Sequence, residues 1–247
     1  MTEPSRQPRP FLAWAVHSFT ASGAILAMLA LVAVIEERWG LALVWLGAAI
    51  LVDGVDGSLA RWARVRESAP RISGEILDLV IDYLSYVFVP AIFIWRAGLV
   101  PPSLAPWLAA AILLSALYVF ARADMKTEDQ YFRGFPALWN VVAFYLHVAA
   151  LGQTAGAVVV GALVVLTFAP VHFVHPFRVR DYGLWLPFIA TTWTAATAAL
   201  LWPGWTPPAR AAWLWLSVAG AVVLVGLGLW RTLRGPKPGL AAAGSSR

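Results

Sequence analysis

The stretch Asp53–Leu84, "DGVDGSLARWARVRESAPRISGEILDLVIDYL", carries four aspartates, Asp53, Asp56, Asp78 and Asp82, with long apolar runs on either side. An aspartate at the centre of a membrane span costs about 2.5–3.5 kcal/mol. Four carboxylates of one sign at this spacing need a compensating role, and identifying it decides how the rest of the chain is read.

The surroundings are a membrane protein's. Of 247 residues, 60% are hydrophobic and 13% charged, and the mean hydropathy is +0.73, more apolar sequence than a soluble core uses. The expected fold class is all-α, a polytopic membrane helix bundle. The absence of cysteine excludes disulfides, thiolate metal sites and a cysteine nucleophile. The pI near 10 fits cations that set topology and meet anionic lipid headgroups. Nucleic acid is not an expected partner.

Eight spans are predicted, at 11–35, 41–60, 75–97, 104–121, 136–150, 155–174, 183–202 and 211–230. The first is too long for a signal-peptide core and reads as a retained helix. Glu36-Glu37-Arg38, Pro101-Pro102, Gly152 and the run from Trp202 to Pro208 supply breaks. With the N-terminus in the cytoplasm, 15 of the 18 Lys and Arg fall on the inner side, leaving Arg38, Arg96 and Arg210 outside. That bias predicts an even number of spans and two cytoplasmic termini. The domain reading is a cytoplasmic tail (1–10), a membrane core (11–182), two added helices (183–234) and a disordered tail (235–247). The longest polar segment is Ala121–Pro136.

On this map Asp53 and Asp56 lie near the inner end of the second helix, at i and i+3 on one face. Gly74, Asp78 and Asp82 form an i, i+4, i+8 stripe at the start of the third. Facing stripes would gather four carboxylates at the interface. Such a group is stable only when partly protonated or cation-bound. Mg²⁺ and Mn²⁺ prefer carboxylates together with a substrate phosphate, so two ions and a phosphate or pyrophosphate substrate are expected. Gly57, Gly74 and Ala60 leave room beside the aspartates, and Arg61 offers a planar cation.

"DGVDGSLAR … GEILDLVID" resembles the signature of the CDP-alcohol phosphotransferases. Asp53, Asp56, Gly57, Ala60, Arg61, Gly74, Asp78 and Asp82 match every fixed position. The spacer between Arg61 and Gly74 is longer than in most members and resembles the bacterial phosphatidylcholine synthase branch. "VHSFTASGA" from Val16, "DMKTEDQYFRGFPALWNVVAFYL" from Asp124 and "HFVHPFRVRD" from His172 are similar to that branch too. The resemblance implies transfer of a phosphatidyl group from CDP-diacylglycerol to choline, with release of CMP, at the cytoplasmic face of a bacterial inner membrane. By position it implies Asp53, Asp56, Asp78 and Asp82 as metal ligands, Asp82 also as general base, and Gly57, Ala60, Arg61 and Gly74 around the cytidine diphosphate. A homodimer is a further implication.

A quaternary ammonium is held by aromatic faces and an anion. The candidates are Tyr83, Tyr86, Tyr118, Asp124, Glu128, Tyr131 and Trp139, against the general enrichment of Tyr and Trp at membrane interfaces. Asn140 could orient a substrate or tie two helices. His172 and His175, at i and i+3, are read as structural or lipid-facing rather than as a metal pair. Three competing readings remain: the same reaction with serine, inositol or glycerol phosphate as acceptor, a divalent-cation transporter, or a non-catalytic scaffold, against which the intact signature argues. The acidic Asp124–Asp129 segment favours a cationic acceptor. The confinement of ionisable groups to one membrane end disfavours transport.

Overall fold

The computed structural model describes residues 10–236. Arg6, Arg9, Lys237 and Arg247, and most of both expected tails, lie outside the described residues. The chain forms two compact units: one runs to Ala97 and takes in Trp139–Ala143, the other comprises Gly98–Leu138 and the chain from Phe144.

In the first unit, α1 (Pro10–Ile35) and α2 (Trp39–Trp62) form a hairpin around the turn Glu36–Arg38. Half of their buried positions are small: Ala13, Gly23, Ala27, Ala30 and Ala33 on α1, Ala42 and Ala49 on α2. Small side chains let two helix backbones approach closely, which in a membrane replaces hydrophobic drive as the source of packing energy. The long spacer is not a loose loop. It contains a short helix, α3 (Val65–Ser68), and Ala63, Val65 and Ala69 are buried against Ala13 and Val16 of α1.

Ser73 caps the next helix, accepting the Ile76 N–H at 3.3 Å. Helix α4 (Gly74–Asp82) then widens into a π-helical turn (Tyr83–Phe88) and continues as α5 (Val89–Arg96). Pro90 explains the widening. It has no N–H, and in a regular α-helix its ring would meet the carbonyl of Tyr86, four residues back. The wider turn absorbs that misfit directly after Asp82. Gly23 sets the spacing of α1 and α4, since a Cβ there would lie 2.6 Å from Ile81 Cγ2.

The second unit holds α6 (Ala105–Ala121), α8 (Gln153–Phe168), α9 (Trp185–Ala199) and α10 (Pro207–Arg234), with α6 packed on α8 and α9 on α10. Helix α7 (Trp139–Ala149) begins in the residues grouped with the first unit. The all-α expectation misses a small ribbon in which β1 (Phe132–Arg133) pairs antiparallel with β2 (His172–Phe173). Helix α10 lies on β2. Gly228 permits this, because a Cβ there would collide with the His172 carbonyl. The His172 N–H donates to Thr232 Oγ1 at 2.7 Å.

Each of the eight expected segments contains a helix. Among the described residues, four helices are long and apolar enough to cross a membrane: Pro10–Ile35, Trp39–Trp62, Gly74–Arg96 and Pro207–Arg234. The others are shorter than expected, at 17 residues for α6, 11 for α7, 16 for α8 and 15 for α9. At 1.5 Å per residue even α6 reaches only about 26 Å, below a hydrocarbon core of about 30 Å. The cause is local. Pro170 forces Ala169 into an extended conformation and ends α8, and β2 takes up the following residues. Ala150, in the left-handed region, ends α7.

Candidate functional site

Helices α2 and α4 bring three of the four aspartates together. Asp53, Asp78 and Asp82 each present a carboxylate oxygen within 4.8 Å of the other two, and all three are half-buried. It is the one group of three or more candidate ligands found among the described residues. Each pair repels by about 3 kcal/mol at that separation with an effective dielectric near 20. Some point lies within about 2.8 Å of all three oxygens, close to the 2.0–2.6 Å of Mg²⁺– and Ca²⁺–oxygen bonds. The donor set fits a hard divalent cation.

Tyr86 supports the trio. Its hydroxyl donates to Asp53 Oδ2 at 2.7 Å. The π-helical turn carries Tyr86, and the contact fixes one carboxylate oxygen from outside. Tyr83, half-buried on the same turn, follows Asp82 directly.

Asp56 stands outside the trio. It is buried and hydrogen-bonded to the side chain of Thr20 on α1, itself buried. His17 is expected from the sequence as a neighbour of the headgroup pocket, whereas Thr20 is a residue that the sequence pattern did not single out. Both come from the "HSFT" turn of α1, and the i, i+3 spacing that puts them on one face was the available signal. His17 also revises the reading of Gly74. The space beside Gly74 is filled by the His17 ring, whose Cε1 would lie 3.3 Å from a Cβ at position 74. His17 is buried, and its Nε2 has no protein partner among the described residues. Arg61 folds back along α2, with Nη2 on Ser58 Oγ at 3.0 Å and Nη1 3.4 Å from where a Gly57 Cβ would be. Ala60 packs against the Ala13–Val16 cluster.

Trp139, fully buried, and Asn140 belong to the first unit with the aspartates. Asn140 Oδ1 accepts the Val141 N–H at 2.8 Å, while Nδ2 has no protein partner among the described residues.

Four candidates for the choline group lie in the second unit. Tyr118 is exposed, with the Arg122 guanidinium 5.3 Å from its ring centre. Asp124 is held by Arg122 through two 2.8 Å contacts, and those bonds keep its carboxyl below the usual range. Glu128 is exposed. Tyr131 is fully buried; its hydroxyl donates to Asp181 at 3.1 Å and its ring faces Arg231 at 5.5 Å. Burial, then the neighbouring Tyr182 and Asp181, push the Tyr131 hydroxyl far above its ordinary range.

The same unit holds a network that sequence reasoning missed. Arg231 Nε donates to Asp129 Oδ2 at 2.7 Å, with the side chains 6% and 8% exposed. Burial pushes the Asp129 carboxyl up, but hydrogen bonds from Arg231 and Thr127 and the Arg231 charge outweigh it, and the net shift is downward. Arg234 pairs with Asp181. These contacts fix the end of α10 to the segments around β1 and β2. The two histidines are engaged separately. His172 Nδ1 lies 3.2 Å from Thr232 Oγ1, and the His175 ring stacks on Phe132 with centres 5.4 Å apart. Burial, then Lys126 and Arg178, lower the His175 pKa to about 4.

Comparison with known proteins agrees with this geometry. Residues 17–193 match the family model described as CDP-alcohol phosphatidyltransferase. The chain is 43% identical over 224 residues to the phosphatidylcholine synthase of Pseudomonas aeruginosa, covering 90% of this chain and 92% of that one. It is 40% identical over 230 residues to the phosphatidylcholine synthase of Bradyrhizobium diazoefficiens, covering 89% and 85%. With that of Mesorhizobium japonicum the identity is 46% over 192 residues, covering 76% and 70%. Three converging aspartates within the matched region, and relatives aligned along nearly the whole chain, make this protein a member of the CDP-alcohol phosphatidyltransferase family.

Proposed function

We infer that this chain is a phosphatidylcholine synthase, an enzyme that transfers the phosphatidyl group of CDP-diacylglycerol to the hydroxyl of choline and releases CMP. The observation that carries the reading is the convergence of Asp53, Asp78 and Asp82 from the two halves of the family motif.

Asp53, Asp78 and Asp82, completed by Asp56 one turn along α2, would hold one or two Mn²⁺ or Mg²⁺ ions. Bound there, the cations would offset the charge of the pyrophosphate and of departing CMP. Asp82 is proposed as the base. It takes the proton of the choline hydroxyl, whose oxygen forms a bond to the phosphorus bearing diacylglycerol while the bond to CMP breaks. The proton then passes to water. Arg61, with Gly57, Ala60 and Gly74, is proposed to border the cytidine diphosphate; Gly74 acts by admitting the His17 ring. For the choline ammonium the proposed contacts are Tyr83, Tyr86 and Trp139, which share the unit of the aspartates. Of the other candidates, all in the second unit, Asp124 is engaged by Arg122 and Tyr131 by Asp181.

The proposed topology is eight membrane-embedded helices in a bacterial inner membrane, both termini and the active site facing the cytoplasm, in a homodimer. The charge bias along the sequence supports the orientation.

The test is headgroup incorporation by the purified protein with CDP-diacylglycerol and Mn²⁺ or Mg²⁺, comparing labelled choline, serine, inositol and glycerol 3-phosphate, with a chelator control. Metal-dependent phosphatidylcholine formation with equimolar CMP is expected. Preference for another alcohol would replace the acceptor. No incorporation by folded protein would overturn the activity.

A further inference from the structure

The second unit contains a cavity of about 220 Å³ at the C-terminal ends of α6 and α8. Its lining includes Tyr118, Arg122, Arg133, Phe168, Pro170 and His172, and none of the four aspartates. Two guanidinium groups border it against one carboxylate, Asp124, which contacts Arg122 at 2.8 Å and Arg133 at 3.9 Å. His172 adds no charge at neutral pH, because burial, then Arg231 and Arg133, lower its pKa. The local balance is one net positive charge.

One side of the site is aromatic. Tyr118 and Phe168, both exposed, pack with ring centres 4.9 Å apart. Along the two helices the surface continues as exposed apolar side chains, Leu114 and Leu117 on α6, Val158 and Val165 on α8. A singly cationic polar cavity that opens beside paired aromatics and an apolar surface matches a molecule with a monoanionic head and hydrocarbon tails. A free soluble anion would have no use for the apolar surface.

We propose that this cavity binds the phosphodiester of an anionic phospholipid, with Arg122 and Arg133 on the phosphate and the acyl chains along α6 and α8. Phosphatidylglycerol has the required single charge, whereas the zwitterionic phosphatidylcholine head carries an ammonium that the arginines repel.

The test uses the full chain in detergent, with CDP-diacylglycerol at saturation and no choline, so that the reaction centre is already filled. Native mass spectrometry then counts retained phosphatidylglycerol and phosphatidylcholine. One phosphatidylglycerol held at least tenfold more tightly than phosphatidylcholine is expected, and Arg122→Gln with Arg133→Gln should remove that preference. In unaltered protein, a phosphatidylglycerol carrying a photoreactive group near the head should label the peptides containing Tyr118 or Phe168. Equal retention of the two lipids, full retention by the double variant, or labelling elsewhere would overturn the proposal. So would displacement of the lipid by millimolar inorganic phosphate, which would make this a soluble-anion site.

Discussion

Replacing Tyr86 by phenylalanine removes one oxygen atom and leaves the ring, so it isolates the 2.7 Å hydrogen bond to Asp53. Two limits bracket the effect on metal binding. Without the bond, Asp53 is free among about three χ1 wells, which alone weakens a site needing one of them by roughly threefold. If the whole bond acted through the metal, a hydrogen bond to a charged acceptor at about 1.5–3 kcal/mol would give about 10–150-fold. Losses from contacts behind metal ligands usually fall at about 10–100-fold. We expect the Mn²⁺ half-saturation of phosphatidylcholine synthesis to rise about tenfold, from that same comparison. Free-Mn²⁺ electron paramagnetic resonance without substrate should show the same shift, and maximal rate at saturating metal should change less. A half-saturation within about twofold of the unaltered protein would refute the positioning argument, being below the rotamer limit. A raised choline KM with an unchanged metal curve would instead assign Tyr86 to the headgroup.

The remaining expectations use other groups. Asp82→Asn should lower turnover by at least about a hundredfold, the lower range for losing a positioned base, without moving the thermal midpoint downward; retained activity would remove Asp82 as the base. Arg231→Ala should cost about 3–5 kcal/mol of stability by leaving Asp129 charged and buried, read as a fall in the unfolding midpoint, while Arg231→Met with Asp129→Leu should recover most of it. His175 has its pKa lowered from 6.5 to about 4 in the folded chain, so the unfolded chain binds the extra proton between those values. Its contribution is present above pH about 6.5 and is lost as pH falls toward about 4. His175→Gln should flatten that part of a stability-against-pH curve. Asp124→Asn should change the choline KM by less than about threefold, because the Asp124 charge is already taken up by Arg122 and such exposed pairs interact weakly with anything else.

Each of the eight apolar segments holds a helix, and three of the four aspartates converge as the i, i+4 face of Asp78 and Asp82 led one to expect, whereas the i, i+3 spacing of Asp53 and Asp56 did not bring Asp56 into the group. What periodicity could not supply was the rotation of α1. Thr20 hydrogen-bonds Asp56, which stands apart from the other three aspartates, and His17 fills the space beside Gly74. Both depend on how a third helix packs. Helix length was overread where hydropathy continued past a backbone stop, as at Ala169-Pro170. The two-residue ribbon is too short for any alternation signal, and its pairing spans forty residues of chain. The network at the end of α10 joins Arg231 to Asp129 and Arg234 to Asp181, and no local pattern marks such distant partners.

That network changes the weight of one argument about the acceptor. Asp124, Glu128 and Asp129 against Lys126 make the segment net acidic in sequence, a fit for a cationic alcohol. In the folded chain Asp124 is bound by Arg122, and Asp129 by Arg231, which comes from a hundred residues away. Each carboxylate meets a cation at hydrogen-bonding distance, so the segment presents no field that would select choline over serine or inositol. Glu128 is exposed there, as is the Arg122-bound Asp124. The preference for choline therefore rests on the likeness to phosphatidylcholine synthases along most of the chain, and on aromatic rings beside the aspartates, rather than on the acidity of this loop. An ammonium without hydrogen-bond donors gains most from ring faces in a water-poor site. Tyr83 and Tyr86 are the rings proposed for that role, carried on the π-helical turn immediately after the proposed base.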